Sequence, residues 1–359
     1  MSDARIAVLG GGSWGTAIAK AIADKGQTVV VWTNTAANAD DLNTLHENRR
    51  YLPGVKLPET LIATADIREA AEEREYLILA QPSLFILQSV KDILNVACVQ
   101  EGRATISVLA KGFLPGGSEP KLIVETLENY LPGFYKNNLV YISGPSHAEE
   151  VVEGKITGLI SASSNPRNSI RVRNLLRGRT LKVFASMDVV GVQVCAALKN
   201  VVAIAFGIMD ALKERSPVFG DNTESLLLAA GLNEIQILGK ALGATHPETF
   251  TSIAGVGDLD VTCRSPFGRN RRFGRDIILK NLLDSYSSID DLIANISRIG
   301  YLPEGVMAAR HAWALYEKYK PKIEIIPVVY RILNKELPPE AAIRQLIDIE
   351  EVDPEHLTN

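Results

Sequence analysis

Residues 5–16 read RIAVLGGGSWGT, a short apolar run followed at once by clustered glycines. The run is typical of a strand, and helical periodicity follows over residues 16–25 until Gly26 ends it. Residues 28–32, TVVVW, then predict a second strand. The segment is therefore predicted to be a βαβ unit, with the pattern G-x-G-x-x-G at the turn into its helix, formed by Gly10, Gly12 and Gly15.

This glycine pattern is typical of a dinucleotide-binding turn. Gly10 permits the tight turn, Gly12 lets a pyrophosphate approach the backbone, and Gly15 allows the helix to pack close to the strand. The N-terminus of the helix adds unpaired N–H groups and a positive dipole, which favour phosphates. The alternative is a glycine-rich turn that binds nothing.

The end of the second strand bears on the choice of cofactor. An acidic residue usually stands there and holds the adenosine ribose. Residues 33–35 read TNT, so Asn34 occupies the position and the choice between NAD and NADP is open. Arg49 and Arg50 could reach the 2′-phosphate of NADP, although paired arginines in a loop are commonly a solvated surface.

Further strand-like runs predict the rest of the first half. They lie at residues 76–80, 104–109, 139–143, 157–161 and 181–184, with helical stretches such as 83–97 and 119–130 between most of them. This alternation predicts an α/β fold with a parallel, doubly wound sheet of Rossmann type. Ligands of such sheets lie beyond the carboxyl ends of the strands. Three loops there are chemically marked, namely 81–83 (QPS), 111–112 (KG) and 143–148 (SGPSHA).

The second half changes to helical periodicity and keeps it. A chain of 359 residues is long for one core, so two domains are expected. We predict a Rossmann NAD(P)-binding domain over 1–188 and an all-α substrate domain over 189–359. The predicted helices are 189–213, 224–242, 289–298, 304–319 and 339–348.

Lys199 lies at the centre of an apolar run, VVGVQVCAALKNVVAIAFGIM, at residues 189–209. The run could span a bilayer, but a central lysine costs roughly 2.5–3.5 kcal/mol on insertion scales, and no second such run exists. A helix in the core of a globular domain is therefore favoured. A buried lysine must be neutralised, paired or used in chemistry, so Lys199 is either part of a structural ion pair or catalytic.

Charge and cysteine content exclude several classes of protein. The net charge of −4 and the pI near 5.9 argue against a partner that is nucleic acid or an anionic membrane. Three cysteines, widely spaced and odd in number, indicate reduced thiols. The chain enters a strand from residue 5 without an apolar signal segment, so a cytoplasmic protein is expected.

Two segments of the second half carry residues that suit a phosphorylated substrate. Asp258 follows a glycine-rich stretch and is either a helix cap or a functional carboxylate. Five arginines lie within residues 264–275. They are either a solvated face or a phosphate site, because the guanidinium group can bind phosphate oxygens bidentately.

Ten motifs, taken in this order, resemble the NAD(P)-dependent glycerol-3-phosphate dehydrogenases and extend from residue 6 to about residue 330. They are GGGSWGTAIA (10–19), YLPGVKLPE (51–59), QPS (81–83), AKGF (110–113), SGPSHAEEV (143–151), VGVQ (190–193), ALKNVVAIAFG (197–207), AGVGDLDVTC (254–263), GRNRRFG (268–274) and PEGV (303–306).

The resemblance implies reversible reduction of dihydroxyacetone phosphate to sn-glycerol 3-phosphate, the headgroup precursor of glycerophospholipids. It also implies a C-terminal domain like that of 6-phosphogluconate dehydrogenase, an active site in the cleft between the two domains, and a homodimer. Lys199 takes the proton-transferring position, with Lys111 and Asp258 as further catalytic residues. Substrate positions are Lys111, Gly144, Ser146, Lys199, Asp258, Gly268, Arg269 and Asn270. Cofactor positions are Gly10, Gly12, Ser13, Trp14, Gly15, Asn34, Lys111, Ala148, Arg269, Leu302 and Glu304.

These positions agree with the chemistry of ketone reduction. Hydride transfer places negative charge on the carbonyl oxygen, which a nearby ammonium can stabilise and protonate without a metal. Two rival functions are a 3-hydroxyacid or ketopantoate-type dehydrogenase of the same architecture and a non-catalytic dinucleotide-binding regulator. The GRNRRFG stretch favours a phosphoester over a carboxylate, and a regulator would not need the set of Lys111, Lys199, Asp258 and Arg269.

Overall fold

A computed structural model describes residues 4–116 and 119–342 of the chain. The described chain forms two compact units. The first comprises the residues up to Ala197 together with Gly239–Val261, and the second comprises Leu198–Leu238 and the residues from Thr262 onward. The domain boundary at 188/189 stays a prediction.

The first unit is built on one eight-stranded sheet and two small hairpins. The order in the large sheet is β12-β11-β10-β7-β6-β1-β2-β5. Its pairs are parallel except for β10 and β11. The strands are β1 (Ile6–Leu9), β2 (Val29–Trp32), β3 (Glu47–Asn48), β4 (Leu52–Lys56), β5 (Leu61–Thr64), β6 (Tyr76–Leu79), β7 (Thr105–Val108), β8 (Phe113–Gly116), β9 (Glu119–Leu122), β10 (Val140–Ser143), β11 (Thr157–Ala162) and β12 (Leu181–Ser186).

Helices cover both faces of this sheet, which confirms the predicted Rossmann-type fold. The apolar side chains of alternate strand positions form two cores, one on each face, because successive residues of a strand point to opposite sides. The helices up to residue 188 are α1 (Ser13–Ala23), α2 (Ala36–Thr44), α3 (Ile67–Ala71), α4 (Ser83–Ile93), α5 (Ala97–Gln100), α6 (Ile123–Glu128), α7 (Ala148–Val152) and α8 (Pro166–Leu176).

Three details of the sheet differ from the sequence-based prediction. The predicted helix over 119–130 is wrong at its start, because residues 119–122 form β9, which pairs with β8 in a hairpin. Strand β5 was not predicted; it is an edge strand in which only Leu61 and Ala63 are buried, so its apolar signal is weaker than that of the central strands. The sheet is not wholly parallel, because β11 runs antiparallel to β10.

Helices make up the described chain from residue 189 onward, as predicted. They are α9 (Val189–Lys213), α10 (Asp221–Ala241), α11 (Glu248–Thr251), α12 (Asp258–Arg264), α13 (Arg269–Leu279), α14 (Ile289–Ala294), α15 (Glu304–Tyr319) and α16 (Ile325–Leu333), with a π-helical turn at Ile253–Gly257 before α12. Helices α11, α12, α13 and α16 were not predicted, and the predicted helix 289–298 is interrupted after Ala294. Residues 343–348 of the predicted helix 339–348 lie outside the described residues.

Helix α9 is the one helix of the described ranges that is long and apolar enough to cross a membrane. In its most apolar 18-residue window, 89% of the residues are buried inside the protein, which is typical of a core helix. Cys98, Cys195 and Cys263 are buried free thiols, as the sequence predicts.

The second unit is held together by close helix packing and by one buried carboxylate. A Cβ atom on Gly207 of α9 would overlap the carbonyl oxygen of Arg271 in α13, so only glycine permits this approach. The rings of Trp313 in α15 and Tyr330 in α16 stack with their centroids 4.4 Å apart. Glu234 of α10 accepts hydrogen bonds from three successive backbone N–H groups at the start of α16, at 2.6–2.9 Å.

Candidate active site

The turn between β1 and α1 has the geometry that a dinucleotide requires. Gly10 has φ +130°, and a Cβ atom there would lie 2.8 Å from the carbonyl carbon of Ala80. A Cβ atom on Gly15 would overlap the carbonyl oxygen of Gly10, so the helix packs directly on the strand end. Gly12 has open space, with nothing within 4 Å of a Cβ position. Gly10 and Gly15 thus form the tight turn and the close helix–strand contact that the pattern predicts, and the backbone at Gly12 has room for the pyrophosphate that the prediction places there.

A hairpin formed by β3 and β4 anchors this turn. The side-chain amide of Asn48 donates to the carbonyl oxygen of Gly11 at 2.9 Å and to the hydroxyl of Thr16 at 2.7 Å. The hydroxyl of Ser13 donates to the carbonyl oxygen of Tyr51 at 3.0 Å. Because its side chain is used in this way, Ser13 can present its backbone N–H to a phosphate. Trp14, the next predicted cofactor residue, is half-buried in the first turn of α1.

The end of β2 is neutral in the structure as in the sequence. Asn34 is exposed, and the amide of the neighbouring Asn38 donates to the hydroxyl of Thr33 at 2.8 Å. Arg49 forms a bidentate pair with Asp41, at 2.7 and 3.1 Å. Arg49 is thus already paired and Arg50 stacks on Tyr51, so neither is held toward the end of β2 by a described contact.

Lys111 and Asp258 form a buried ion pair in the first unit. The Nζ atom of Lys111 lies 3.0 and 3.3 Å from the two carboxylate oxygens of Asp258, which has no exposed surface. The hydroxyl of Ser143, at the end of β10, donates to the same carboxylate at 3.2 Å, and Lys111 also donates to the carbonyl oxygen of Gly144 at 3.2 Å. Since 16% of the Lys111 side chain is exposed, the ammonium can still be approached by a ligand.

The loop after β10 and the start of α7 carry the remaining predicted residues of the first unit. Gly144 has φ +137°, and a Cβ atom there would lie 2.5 Å from the carbonyl oxygen of Gly158, so glycine is required. The hydroxyl of Ser146 donates to the carbonyl oxygen of Gly144 at 2.9 Å. Ala148 begins α7 and is buried beside α1.

Lys199 is buried in the second unit and is held by hydrogen bonds. It is 5% exposed, and its Nζ atom donates to the hydroxyl of Thr262 at 2.8 Å. The amide of Asn270 donates to the side-chain oxygen of Asn200 at 2.9 Å, and its own oxygen accepts from the backbone N–H of Gly305 at 2.9 Å. The structure thus fixes Asn270 between the helix of Lys199 and the start of α15, where Glu304 is the first residue and the half-buried Leu302 precedes it.

The arginines of residues 264–275 do not act as one cluster. Four of them are paired with carboxylates within the second unit, whereas Arg269 is exposed and has no ion pair with any described residue. Gly268 precedes Arg269 as the N-cap of α13, and a Cβ atom on it would lie 2.8 Å from the carbonyl oxygen of Thr262. The paired residues are Arg264 with Glu224, Arg271 and Arg275 with Asp210, and Arg272 with Asp276.

Three residues join the candidate site that the sequence did not single out. Ser143 donates a hydrogen bond to Asp258, and Thr262 accepts one from Lys199. Asn200 follows Lys199 in the chain and accepts a hydrogen bond from Asn270. A weak signal existed for Thr262, because it follows Asp258 by four residues and therefore shares its side of α12. The sequence marked the loop 143–148 that begins with Ser143, but the bond of Ser143 to Asp258 had no local signal, because it joins residues 115 positions apart.

Comparison with known proteins places the chain in one family over nearly its whole length. The sequence family described as NAD-dependent glycerol-3-phosphate dehydrogenase N-terminus matches residues 5–169, and its C-terminal counterpart matches residues 188–344. A protein of Treponema denticola named glycerol-3-phosphate dehydrogenase (NAD(P)+) is 56% identical over 353 residues, which cover 97% of this chain and 99% of that protein. A protein of the same name from Bacillus velezensis is 36% identical over 344 residues, covering 96% and 94%.

A solved structure gives the same result at the level of the fold. The crystal structure of glycerol-3-phosphate dehydrogenase from Coxiella burnetii superposes with a TM-score of 0.81 and 31% identity, covering 96% of this chain and 99% of that chain. The two family matches, the sequence identity and the fold therefore all indicate the same family. The chain belongs to the family of NAD-dependent glycerol-3-phosphate dehydrogenases.

Proposed function

We propose that this chain reduces dihydroxyacetone phosphate reversibly to sn-glycerol 3-phosphate, with NAD(P)H as the hydride donor. Its family and the name of its relative at 56% identity support this activity. The observation that carries the chemistry is the burial of Lys199 and its hydrogen bond to Thr262. A sequestered ammonium with a fixed direction is what a developing alkoxide needs from its proton donor.

Lys199 is the proton donor in this proposal. When bound, NAD(P)H supplies the hydride that converts the ketone carbon of the substrate to an alcohol carbon. As charge gathers on the former carbonyl oxygen, the ammonium of Lys199 stabilises it and then transfers a proton to it. Thr262 is a positioning residue, because its hydroxyl accepts one of the three N–H bonds of Lys199 and limits the directions of the other two.

Lys111 and Asp258 supply charge and orientation. The ammonium of Lys111 favours negative charge on the substrate, while the carboxylate of Asp258 keeps that ammonium in one place. The bond from Ser143 holds the carboxylate in turn. Because Asp258 has no exposed surface, water cannot compete for it, and the arrangement is rigid before the substrate arrives.

Arg269 is the phosphate-binding residue that we propose. It begins α13 after Gly268, so a phosphate bound by its guanidinium group would also lie near the positive end of an 11-residue helix. Its four arginine neighbours are paired with carboxylates and are less available. Asn270, held by Asn200 and Gly305, keeps the first turn of this helix in position.

The cellular setting and the assembly are part of the proposal. The product supplies the glycerol phosphate unit of glycerophospholipids, so a role in phospholipid synthesis follows from the activity. The net charge of −4 and the buried α9 support a cytoplasmic protein without a nucleic-acid partner or membrane insertion. The resemblance supports a homodimer, whose mass would be measured by light scattering.

A substrate panel tests this function against its nearest alternative. We expect the purified protein to oxidise NADH or NADPH with dihydroxyacetone phosphate and not with 2-keto acids such as ketopantoate. Turnover of a keto acid without turnover of dihydroxyacetone phosphate would reject the proposal in favour of a ketopantoate-type or 3-hydroxyacid dehydrogenase. Binding of NADH without turnover of any ketone would favour the non-catalytic regulator.

The variant Lys199→Ala tests the proton donor. Its turnover should fall by roughly two to four orders of magnitude, the range for lost general acid–base catalysis, while the Kd for NADH stays within about twofold. Lys213→Ala is the matched control, since Lys213 ends the same helix and pairs with the exposed Asp221 and with Glu224, away from the proposed site residues. Near-normal turnover of Lys199→Ala would remove Lys199 from the mechanism.

A further inference from the structure

Gln81 is a buried polar residue of the first unit. It follows β6 directly and is 5% exposed. Neither its side-chain nitrogen nor its side-chain oxygen has a hydrogen-bond partner among the described residues. An unpaired buried amide destabilises the folded protein, because the amide has lost its hydrogen bonds to water and has formed none within the protein. A bound ligand could supply the missing hydrogen bonds.

The strand order places Gln81 between the two parts of the candidate active site. Strand β6 pairs with β1 on one side and with β7 on the other, with Leu79 opposite both Leu9 and Val108. The phosphate-binding turn at Gly10–Gly12 follows β1, and Lys111 follows β7. Neighbouring strands lie about 4.8 Å apart. Gln81 therefore stands about one strand from the pyrophosphate turn and about one strand from the Lys111 loop.

A dinucleotide bound across these strand ends must place its nicotinamide half above the end of β6. Its pyrophosphate belongs over the turn after β1, and its adenosine belongs on the side of β2, whose end carries Thr33 and Asn34. The reacting end must lie toward Lys111 and Asp258. What remains above β6 is the nicotinamide nucleotide, with ribose hydroxyls that both donate and accept hydrogen bonds.

We infer that Gln81 is a cofactor-binding residue, whose amide exchanges hydrogen bonds with the ribose hydroxyls of the nicotinamide nucleotide. The backbone at this point is packed tightly, since a Cβ atom on Gly10 would lie 2.9 Å from the backbone nitrogen of Gln81. The backbone is thus fixed, and only the side chain turns. Its three torsions permit that rotation, and the amide gives up no bond within the described part of the protein when it leaves its enclosed position.

The inference rests on the proposed function and makes a claim of its own about the cofactor. NAD and NADP differ only at the adenosine ribose, so a contact to the nicotinamide nucleotide must serve both equally. A residue that merely supported the phosphate turn would also change the affinity for AMP. A residue that was only an unsatisfied buried group would change neither, and its removal would stabilise the protein.

The experiment compares Gln81→Leu with the wild type by calorimetric titration of NADH, NADPH and AMP. Two lost hydrogen bonds should raise the Kd for NADH and NADPH by about the same factor, roughly tenfold, while the Kd for AMP stays within about twofold. The Tm of the ligand-free variant should be unchanged or higher. Gln88→Leu, an exposed glutamine of α4, is the matched control and should change none of these values.

Two results would overturn the inference. One is an unchanged Kd for NADH in Gln81→Leu, and the other is an equal loss of affinity for AMP. Gln81→Glu provides a second variant of the same shape, and its loss of affinity for NADH should be smaller than that of Gln81→Leu, because a carboxylate can still accept from the ribose hydroxyls although it cannot donate. Turnover of dihydroxyacetone phosphate by the wild type, measured in parallel, tests the proposed function separately, since the ratios of Kd values do not depend on it.

Discussion

Arg269 and Arg272 are two exposed arginines of the same helix with different surroundings. Arg272 lies over the ring of Tyr301, with its guanidinium carbon 4.7 Å from the ring centroid, and 3.9 Å from a carboxylate oxygen of Asp276. Arg269 has no ion pair with any residue that the structure describes. A guanidinium group without a carboxylate partner keeps its full capacity for a bidentate bond to phosphate.

The two arginines should therefore respond differently to truncation. We expect Arg269→Ala to raise the KM for dihydroxyacetone phosphate by about one to two orders of magnitude, the value of a lost charged hydrogen bond, with a smaller change in kcat. Arg272→Ala should change this KM by no more than about twofold. Steady-state kinetics at saturating NADH measures both, and equal effects, or a fall in kcat alone for Arg269→Ala, would contradict the phosphate role.

At the scale of elements, two glycines of the β1–α1 junction have different roles, one in packing and one in ligand binding. Gly15 is needed for packing, because any side chain there overlaps the carbonyl oxygen of Gly10. Gly12 is not needed for packing, since nothing lies within 4 Å of its Cβ position, and its φ of −75° suits any residue. The open space at Gly12 is therefore reserved for the ligand rather than for the fold.

Two alanine variants test this separation. Gly12→Ala should fold with an unchanged Tm but raise the Kd for NADH by about tenfold or more, because the methyl group occupies the approach of the pyrophosphate. Gly15→Ala should lower the free energy of unfolding by roughly 1–3 kcal/mol, the usual cost of overpacking, because the strand end and the helix must move apart. Thermal unfolding and NADH titration of both variants measure these effects. A normal Tm for Gly15→Ala would show that the strand end and the helix accommodate the methyl group without loss of stability.

At the scale of the whole molecule, the buried carboxylate of Glu234 makes stability depend on pH. Burial raises the pKa of Glu234 to about 7, even though three backbone N–H groups of residues 324–326 favour its charged form. The folded protein therefore binds a proton more tightly than the unfolded chain. The stability that this proton contributes is complete below about pH 4.5 and is lost as the pH rises to about 7.

The variant Glu234→Gln should remove this dependence. A shift of this size corresponds to about 3 kcal/mol between pH 4.5 and 7, so the wild-type free energy of unfolding should fall across that range by up to this amount relative to the variant. Urea unfolding at several pH values measures the difference. Glu248→Gln, at an exposed carboxylate, is the control and should retain the wild-type slope. Parallel curves for Glu234→Gln and the wild type would show that Glu234 does not titrate in this range.

Much of the fold could be predicted because its signals are local. Strands β1, β2, β6, β7, β10, β11 and β12 and helices α9 and α15 lie where apolar runs and helical periods predict them. The failures lie where local signals are weak or compete, as in the edge strand β5 and in residues 119–122, whose hairpin with β8 depends on a partner strand. The antiparallel pairing of β11 has no local signal, since strand direction is a property of the whole sheet.

The sequence by itself determined the βαβ unit with its glycine turn, the helical second half, the family resemblance and the choice of Lys199. Each of these depends on residues that are close together in the chain, or on motifs that can be compared one by one. Only the tertiary structure decided that Thr262 holds Lys199, that Ser143 supports Asp258 and that Gln81 has no partner in the described chain. The physical reason is that hydrogen bonds and ion pairs are made between groups that folding brings together, often from positions more than 60 residues apart.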